Sequence, residues 1–363
     1  MQSYRRPSCY DIRMSLTHSP SPDPQGVEGF LGRFERNGMT VIPTDTGRSA
    51  LVLALRTLAG KKCSGTAWMP AYACPALVPV FRKEGMRLRR YGTASDFRPV
   101  FPNPGPSRED IVLIIHYFGY PNRRALGWLR STPPQRRPFV IEDCAGSSLT
   151  ESIGFEADFA LFSFRKFFAV ADGGALVSRF PVQPELNPAD PHLAQNREKA
   201  FEFLKAGAIE TALSRLDEAE AELDRALALL PRRPSSKAWE TLKKTPFQHE
   251  ALRRRNLGRI LLEHITTSPG LKCRLRPLLS SIPDDAAPLA LPVEVLTDRE
   301  RFPALFREKG LDCPSLWNLN PALRFSFPFD YALGSRTFGL PLPRGEESEE
   351  MEAILDCLKI FAS

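Results

Sequence analysis

The sequence predicts an α/β domain built around a mainly parallel sheet, followed by a smaller α+β domain. Three observations lead there. From about Val41 to Ser178, short apolar strands alternate with helical stretches. The segment Pro231-Arg232-Arg233-Pro234-Ser235-Ser236 then breaks that pattern. Beyond it, residues 245–363 return to longer helices around one apolar strand. A chain of 363 residues has room for about two domains. The expected divisions are a flexible N-terminal arm over 1–26, a large α/β domain over 27–236 with a helical segment at 192–230, and a small α+β domain over 237–363.

The arm is polar and closes on Ser19-Pro20-Ser21-Pro22-Asp23-Pro24, a composition with too little apolar surface to pack. In the large domain the predicted strands are Ala67–Met69, Ile111–Ile115, Phe139–Ile141, Phe159–Phe162 and Gly174–Val177. Helices Ser49–Ala59, Pro75–Lys83 and Arg124–Arg130 lie between them, and the 97–109 stretch, with four prolines, reads as a surface connection. Within 192–230, Ile209, Leu213, Leu216, Leu223, Leu227 and Leu230 recur at three, four or seven residues. They form one apolar seam, suited to a core or to a second copy of the chain, and carry no chemistry. The small domain is expected to hold helix Phe247–His264, strand Leu289–Val295, helix Arg299–Lys309 and a C-terminal helix Glu347–Phe361.

Composition narrows the function. Hydrophobic residues at 42% and charged residues at 25% describe a soluble globular protein, and no apolar stretch approaches the ~18 residues of a membrane span. The start of the chain, with Arg5, Arg6 and Pro7, lacks the apolar core of a secretory signal. Seven scattered cysteines without a CxxC pair fit reduced thiols in a cytoplasm, and argue against a disulfide frame or a metal site. The net charge of +7 suits an anionic small ligand. Its basic residues are dispersed and no reader motif accompanies them, so neither nucleic acid nor membrane is an expected partner.

The chemistry centres on Lys166, within Ser163-Phe164-Arg165-Lys166-Phe167-Phe168 and shortly before Asp172-Gly173-Gly174. It follows one apolar strand, and the strand before that ends in Glu142-Asp143. An amine and a carboxylate at the ends of successive strands match the needs of pyridoxal phosphate (PLP). The amine forms the Schiff base, and the carboxylate keeps the pyridine nitrogen protonated. The apolar flanks of Lys166 favour its neutral, nucleophilic form. Asp143, beside the small residues Ala145 and Gly146, is the ring partner, because Glu142 points to the other face if the strand continues. Gly47, Arg48 and Ser49 open a helix and offer backbone N–H groups and a dipole to a phosphate. Ser163 is either a second hydroxyl for that phosphate or a turn residue, and Tyr72 is the available aromatic to stack on the ring or to sit at a core edge. His116 either lines the substrate side or is a satisfied structural histidine.

These segments resemble the DegT/StrS-type (DegT/DnrJ) aminotransferases. The likeness runs through Thr46-Gly47-Arg48-Ser49-Ala50-Leu51, Pro70-Ala71-Tyr72, His116 with Gly119, Ile141-Glu142-Asp143 and Asp158 through Gly174. It returns at Ala287-Pro288-Leu289-Ala290-Leu291-Pro292, Trp317 and Leu340-Pro341-Leu342. The resemblance implies PLP fold-type I, aspartate aminotransferase-like, in a cytoplasmic homodimer. It implies transfer of an amino group from an amino acid donor to a nucleotide-linked ketosugar. Lys166 is then the covalent anchor and proton carrier, with Asp143, Gly47, Arg48, Ser49, Tyr72 and Ser163 around the cofactor. The alternatives are a PLP-dependent sugar dehydratase or lyase, whose members replace the lysine with histidine, and a PLP-binding homologue without turnover, which Gly146 motivates because the family usually carries Gln or His there.

Overall fold

The computed structural model describes residues 26–363 apart from Lys62, Gly207, 227–230 and 344–347. All of the expected arm except Gly26 therefore lies outside the described residues, as do Leu227 and Leu230 of the seam.

Helix α1 (Val27–Glu35) precedes edge strand β1 (Thr40–Thr44). Thr46, in an extended conformation, caps α2 (Gly47–Ala59) by accepting the Ser49 N–H on its Oγ1 at 3.2 Å. Next come β2 (Thr66–Pro70), α3 (Leu77–Lys83), β3 (Arg87–Thr93), β4 (Pro99–Val100) and β5 (Ile111–Ile115). Helix α4 (Arg123–Ser131), capped by Asn122, leads to β6 (Phe139–Asp143), β7 (Phe159–Ser163) and β8 (Gly174–Ser178). The eight strands form one sheet in the order β1-β8-β7-β6-β5-β2-β3-β4. Strands β3, β2, β5, β6 and β7 run parallel, and β8 pairs antiparallel with both β7 and β1.

Every residue of β2, β5, β7 and β8 is buried, which is why these strands read as unbroken apolar runs. Strand β3 is not apparent in the sequence because Arg87, Arg89 and Arg90 interrupt it. Its outer positions are exposed and only Tyr91 and Thr93 are buried. Strand β4 pairs with β3 inside the stretch expected to be a bare connection, and its proline is tolerated because it lies at the sheet edge. Helix α2 packs on one face with Leu51, Leu55, Met69, Leu113 and Ile141. Helix α4 covers the other face with Ala125 and Leu129 against Val112, Ile114 and Val140.

The helical segment is two helices, α5 (Pro191–Lys205) and α6 (Ile209–Ala226), packed on each other. Ala212, Leu216 and Ala219 form the buried face of α6. After α7 (Ser236–Lys244), the long α8 (Phe247–Thr267) and the short α9 (Pro269–Lys272), a second sheet appears. Its strands β9 (Leu275–Pro277), β10 (Leu291–Val295) and β11 (Thr337–Leu340) are antiparallel in the order β11-β10-β9. The sequence reveals only β10, since the other two are very short and hold a proline or a glycine. Helices α10 (Arg301–Glu308), α11 (Leu323–Ser326) and α12 (Pro328–Arg336) lie between β10 and β11. Helix α13 (Glu349–Ala362), capped by Ser348, closes the chain. Leu261, Val293, Phe306 and Ile354 join the same core as α2, so the two sheets share one apolar interior. No helix among the described residues is long and apolar enough to cross a membrane.

The register sets up one end of the large sheet. Ser163 pairs with Gly174 and Gly174 with Thr44, so the carboxyl ends of β7 and β1 flank the start of β8. Ile115 pairs with Asp143 and Asp143 with Leu161. The loops after β1, β5, β6 and β7 therefore emerge together. Gly174 is what lets them approach, because a Cβ there would lie 2.6 Å from the Phe162 carbonyl oxygen and 2.8 Å from the Thr46 carbonyl carbon. Gly174→Ala is expected to destabilise the fold by about 2–3 kcal/mol through this backbone overlap, measured by chemical denaturation.

Candidate active site

Lys166 sits on a 3₁₀ turn, Phe164–Lys166, directly after β7. The turn is fixed by its neighbours. Phe164 N–H donates to Gly173 O at 2.9 Å, and the rings of Phe164, Phe167 and Phe168 are buried. From α8, the fully buried Arg254 donates to Phe167 O at 3.4 Å, lies 5.0 Å over the Phe167 ring and holds Glu250 at 2.6 Å. Lys166 itself is half-buried, and its Nζ enters no hydrogen bond or ion pair among the described residues.

Strand alternation divides Glu142 from Asp143 as expected. Glu142 is fully buried and accepts from His116 Nε2 at 2.8 Å and from the backbone N–H groups of Gly154, Glu156 and Ala157. Burial pushes its carboxyl up, but the His116 hydrogen bond and the backbone donors outweigh that and hold it below the ordinary range. His116 Nδ1 accepts the Asn122 N–H at 2.9 Å, so the ring proton is on Nε2 and both nitrogens are used. His116, Glu142 and Cys144 are close enough to hold a metal ion, but this hydrogen bonding makes them a closed structural core. Of the two readings of His116, the structural one fits.

Asp143 faces the opposite way. Its Oδ1 accepts the Ala145 N–H at 2.9 Å, and Oδ2 receives no hydrogen bond among the described residues. Burial raises its carboxyl, against the pull of the Lys166 charge and the Ala145 N–H. Lys166 and Asp143 are thus close enough for the charge of one to bias the other. At Gly47, a Cβ would lie 3.4 Å from Phe162 O, 3.6 Å from Ser163 Cβ and 3.7 Å from Ala145 Cβ. The α2 start, the end of β7 and the loop after β6 therefore enclose one small space. Ser163 Oγ makes no hydrogen bond among the described residues, while its N–H is held by Ser148 Oγ at 2.9 Å.

The remaining expected residues are placed differently. Ser49 belongs to the cap, with its N–H on Thr46 and its hydroxyl beside Asp45 and Thr46. The Arg48 side chain turns away to Glu220 on α6 at 2.9 Å. Tyr72 is fully buried, its hydroxyl donates to Leu316 O, and its ring stacks on Tyr117 at 5.5 Å and packs against Trp317. A ring with no exposed face cannot stack on a ligand, so Tyr72 backs the wall of the site and does not line it. Glu220, Arg165 and Asp172 are features the sequence did not single out. Asp172 accepts from the N–H and hydroxyl of Ser235, tying the turn after Lys166 to the start of α7.

No protein-family model matches this sequence, and neither does any curated protein. Solved structures do match. A DegT DnrJ EryC1 StrS aminotransferase from Brucella abortus superimposes with a TM-score of 0.59 at 16% identity, over 93% of this chain and 91% of its own. The sugar aminotransferase CalS13 from Micromonospora echinospora gives 0.61 at 14% identity, over 99% and 98%. NtdA from Bacillus subtilis, with bound cofactor PMP, gives 0.61 at 14%, over 92% and 77%. The chain has the fold of the PLP fold-type I aminotransferases. In this aminotransferase fold, ligands gather at the carboxyl ends of the parallel strands, which is where Asp143, Ser163 and Lys166 lie.

Two predictions follow from the buried carboxylates. Glu142→Ala leaves His116 Nε2 and three backbone N–H groups without an acceptor, and is expected to cost about 3–5 kcal/mol, read by denaturant unfolding. Asp172 is pushed up to about 6, first by burial and also by the charge of Asp45. The folded state then binds its proton more tightly than the unfolded chain, so this group's contribution becomes less favourable as pH rises from about 4 to 6. The penalty at neutral pH is at most about 3 kcal/mol. Asp172→Asn keeps an acceptor for Ser235 and removes the charge. Its melting temperature is expected to exceed that of the wild type at pH 8, with the gap about halved at pH 5 and closing below about pH 4.

Proposed function

We propose that this protein is a PLP-dependent aminotransferase that moves an amino group from an amino acid donor to a sugar carrying a keto group. One observation carries the reading: Lys166 Nζ, Asp143 Oδ2 and Ser163 Oγ, from the ends of two adjacent strands, are each left without a hydrogen bond among the described residues around one space. An amine, a carboxylate oxygen and a hydroxyl that no neighbour occupies, open at the carboxyl ends of adjacent strands, are available to a ligand. The donor set suits PLP. A lysine amine can bind its aldehyde, a buried carboxylate can face its ring nitrogen, and a hydroxyl with a helix N-terminus can hold its phosphate.

Bound PLP would supply an aldehyde that condenses with amines and a ring that accepts electrons from the substrate α-carbon. The chain supplies the rest. Gly47 and Arg48 contribute first-turn N–H groups and the positive end of α2, and Ser163 adds its hydroxyl. Asp143, whose open Oδ2 faces this space, would accept a hydrogen bond from a protonated ring nitrogen. Lys166 Nζ takes the proton from the donor α-carbon and later returns one to the acceptor, an amine free to move because nothing else holds it. Ala145 leaves room for a flat ring beside Asp143. The Tyr72–Tyr117 pair backs this space from the side of β2.

The finer reading is a nucleotide-linked acceptor and a homodimer. The net charge of +7 supports an anionic substrate, and the likeness to the sugar aminotransferase CalS13 supports a sugar acceptor. A lysine at 166, where dehydratases carry histidine, favours amino transfer over dehydration. The purified protein is expected to absorb visible light with PLP and to lose that band on adding an amino donor. Lys166→Ala should slow this half-reaction at least ~100-fold, and Asp143→Asn should slow it while PLP stays bound. Full turnover by Lys166→Ala would rule the proposal out.

A further inference from the structure

Three arginines from separate parts of the chain meet at one carboxylate. Arg48 adjoins Gly47 at the start of α2, Arg165 immediately precedes Lys166, and Arg197 belongs to α5. All three are buried. Glu220 of α6 receives Arg48 at 2.9 Å and Arg165 at 2.8 Å, and also pairs with Arg197. A carboxylate drawn partly out of water, as Glu220 is, is kept where cations compensate its desolvation. Two of the three cations here lie next in sequence to residues of the proposed cofactor site. Helix α6 therefore grips both walls of that site, the phosphate end through Arg48 and the lysine turn through Arg165.

We propose that Glu220 is a positioning residue for the chemistry at Lys166, acting through Arg165 and Arg48. This rests on the aminotransferase reading and extends it to α6, which otherwise contributes only packing. Glu220 fixes the backbone turn that aims the amine. It also contributes to the local potential, because its charge is shared by three guanidiniums beside an amine that must gain and lose a proton. Among the described residues, the other charged groups around the turn include Asp143 on β6, Asp45 before α2 with Arg232 acting on it, Asp172 before β8, and the Arg254–Glu250 pair of α8. Arg254 pairs with Glu250, while Arg48, Arg165 and Arg197 meet at Glu220, and Asp172 also acts on Arg197.

The test uses the full-length protein and pyridoxal, which lacks the phosphate. Pyridoxal is trapped on Lys166 with borohydride from pH 6 to 10 and counted by mass spectrometry, so the midpoint reports the proton on the amine. Phosphate binding is measured in parallel with inorganic phosphate. Glu220→Gln removes the anion at nearly constant size. Its trapping midpoint is expected to fall by about one pH unit, while phosphate binds at least as tightly, and Glu220→Asp should recover at least half of the shift. A variant that only melts earlier, with an unchanged midpoint, would overturn the proposal. Should Glu220→Gln not fold, Arg165→Gln must move the midpoint upward, and no movement there overturns it equally. Wild-type protein that traps no pyridoxal would instead remove Lys166 as the aldehyde-binding residue, which is the failure of the aminotransferase reading itself.

Discussion

A lysine amine that has to remain unpaired needs its backbone held by something other than its own side chain. The Lys166 turn meets this need through contacts on all its neighbours. Gly173 O takes the Phe164 N–H, Arg254 takes Phe167 O, and Arg165 reaches Glu220. A three-residue 3₁₀ turn has little stability of its own. Its shape is therefore imposed by β8, α6 and α8, and the rest of the site is arranged around that imposed shape.

The same economy divides the two carboxylates at the end of β6. Glu142 has every partner a buried carboxylate can use, and with His116 it locks the loop after β5 to the loop after β6. Asp143, one residue on and facing the other side, keeps an oxygen open. One acidic residue is taken up by structure and its neighbour is left open, separated by nothing more than the pleat of the strand. Gly174 supports both, since its missing side chain lets the strand ends close to within backbone contact.

Much of this was readable in the sequence. The central strands are buried on both faces, so their apolar runs stand out, and Lys166 and Asp143 follow them directly. Strand β3 was hidden by its arginines, and β9 and β11 by their brevity. Tyr72 shows a different limit: its position after β2 is evident, but its burial depends on Leu316 and Trp317, more than two hundred residues away in sequence. Glu220 has no local signature at all. A glutamate on a charged helix looks solvated until the fold brings Arg48, Arg165 and Arg197 to it. What sequence conveys here is periodicity and strand-end chemistry; what it withholds is long-range pairing.

That long-range pairing bears on how the protein is made. Arg254 is synthesised 87 residues after Phe167, whose carbonyl it holds, and Glu220 also emerges long after Arg48. A nascent chain that has completed the whole large sheet still lacks the groups that shape the lysine turn. If Lys166 captures an aldehyde as proposed, the turn that aims it takes its final shape only after α8 has left the ribosome, late in translation.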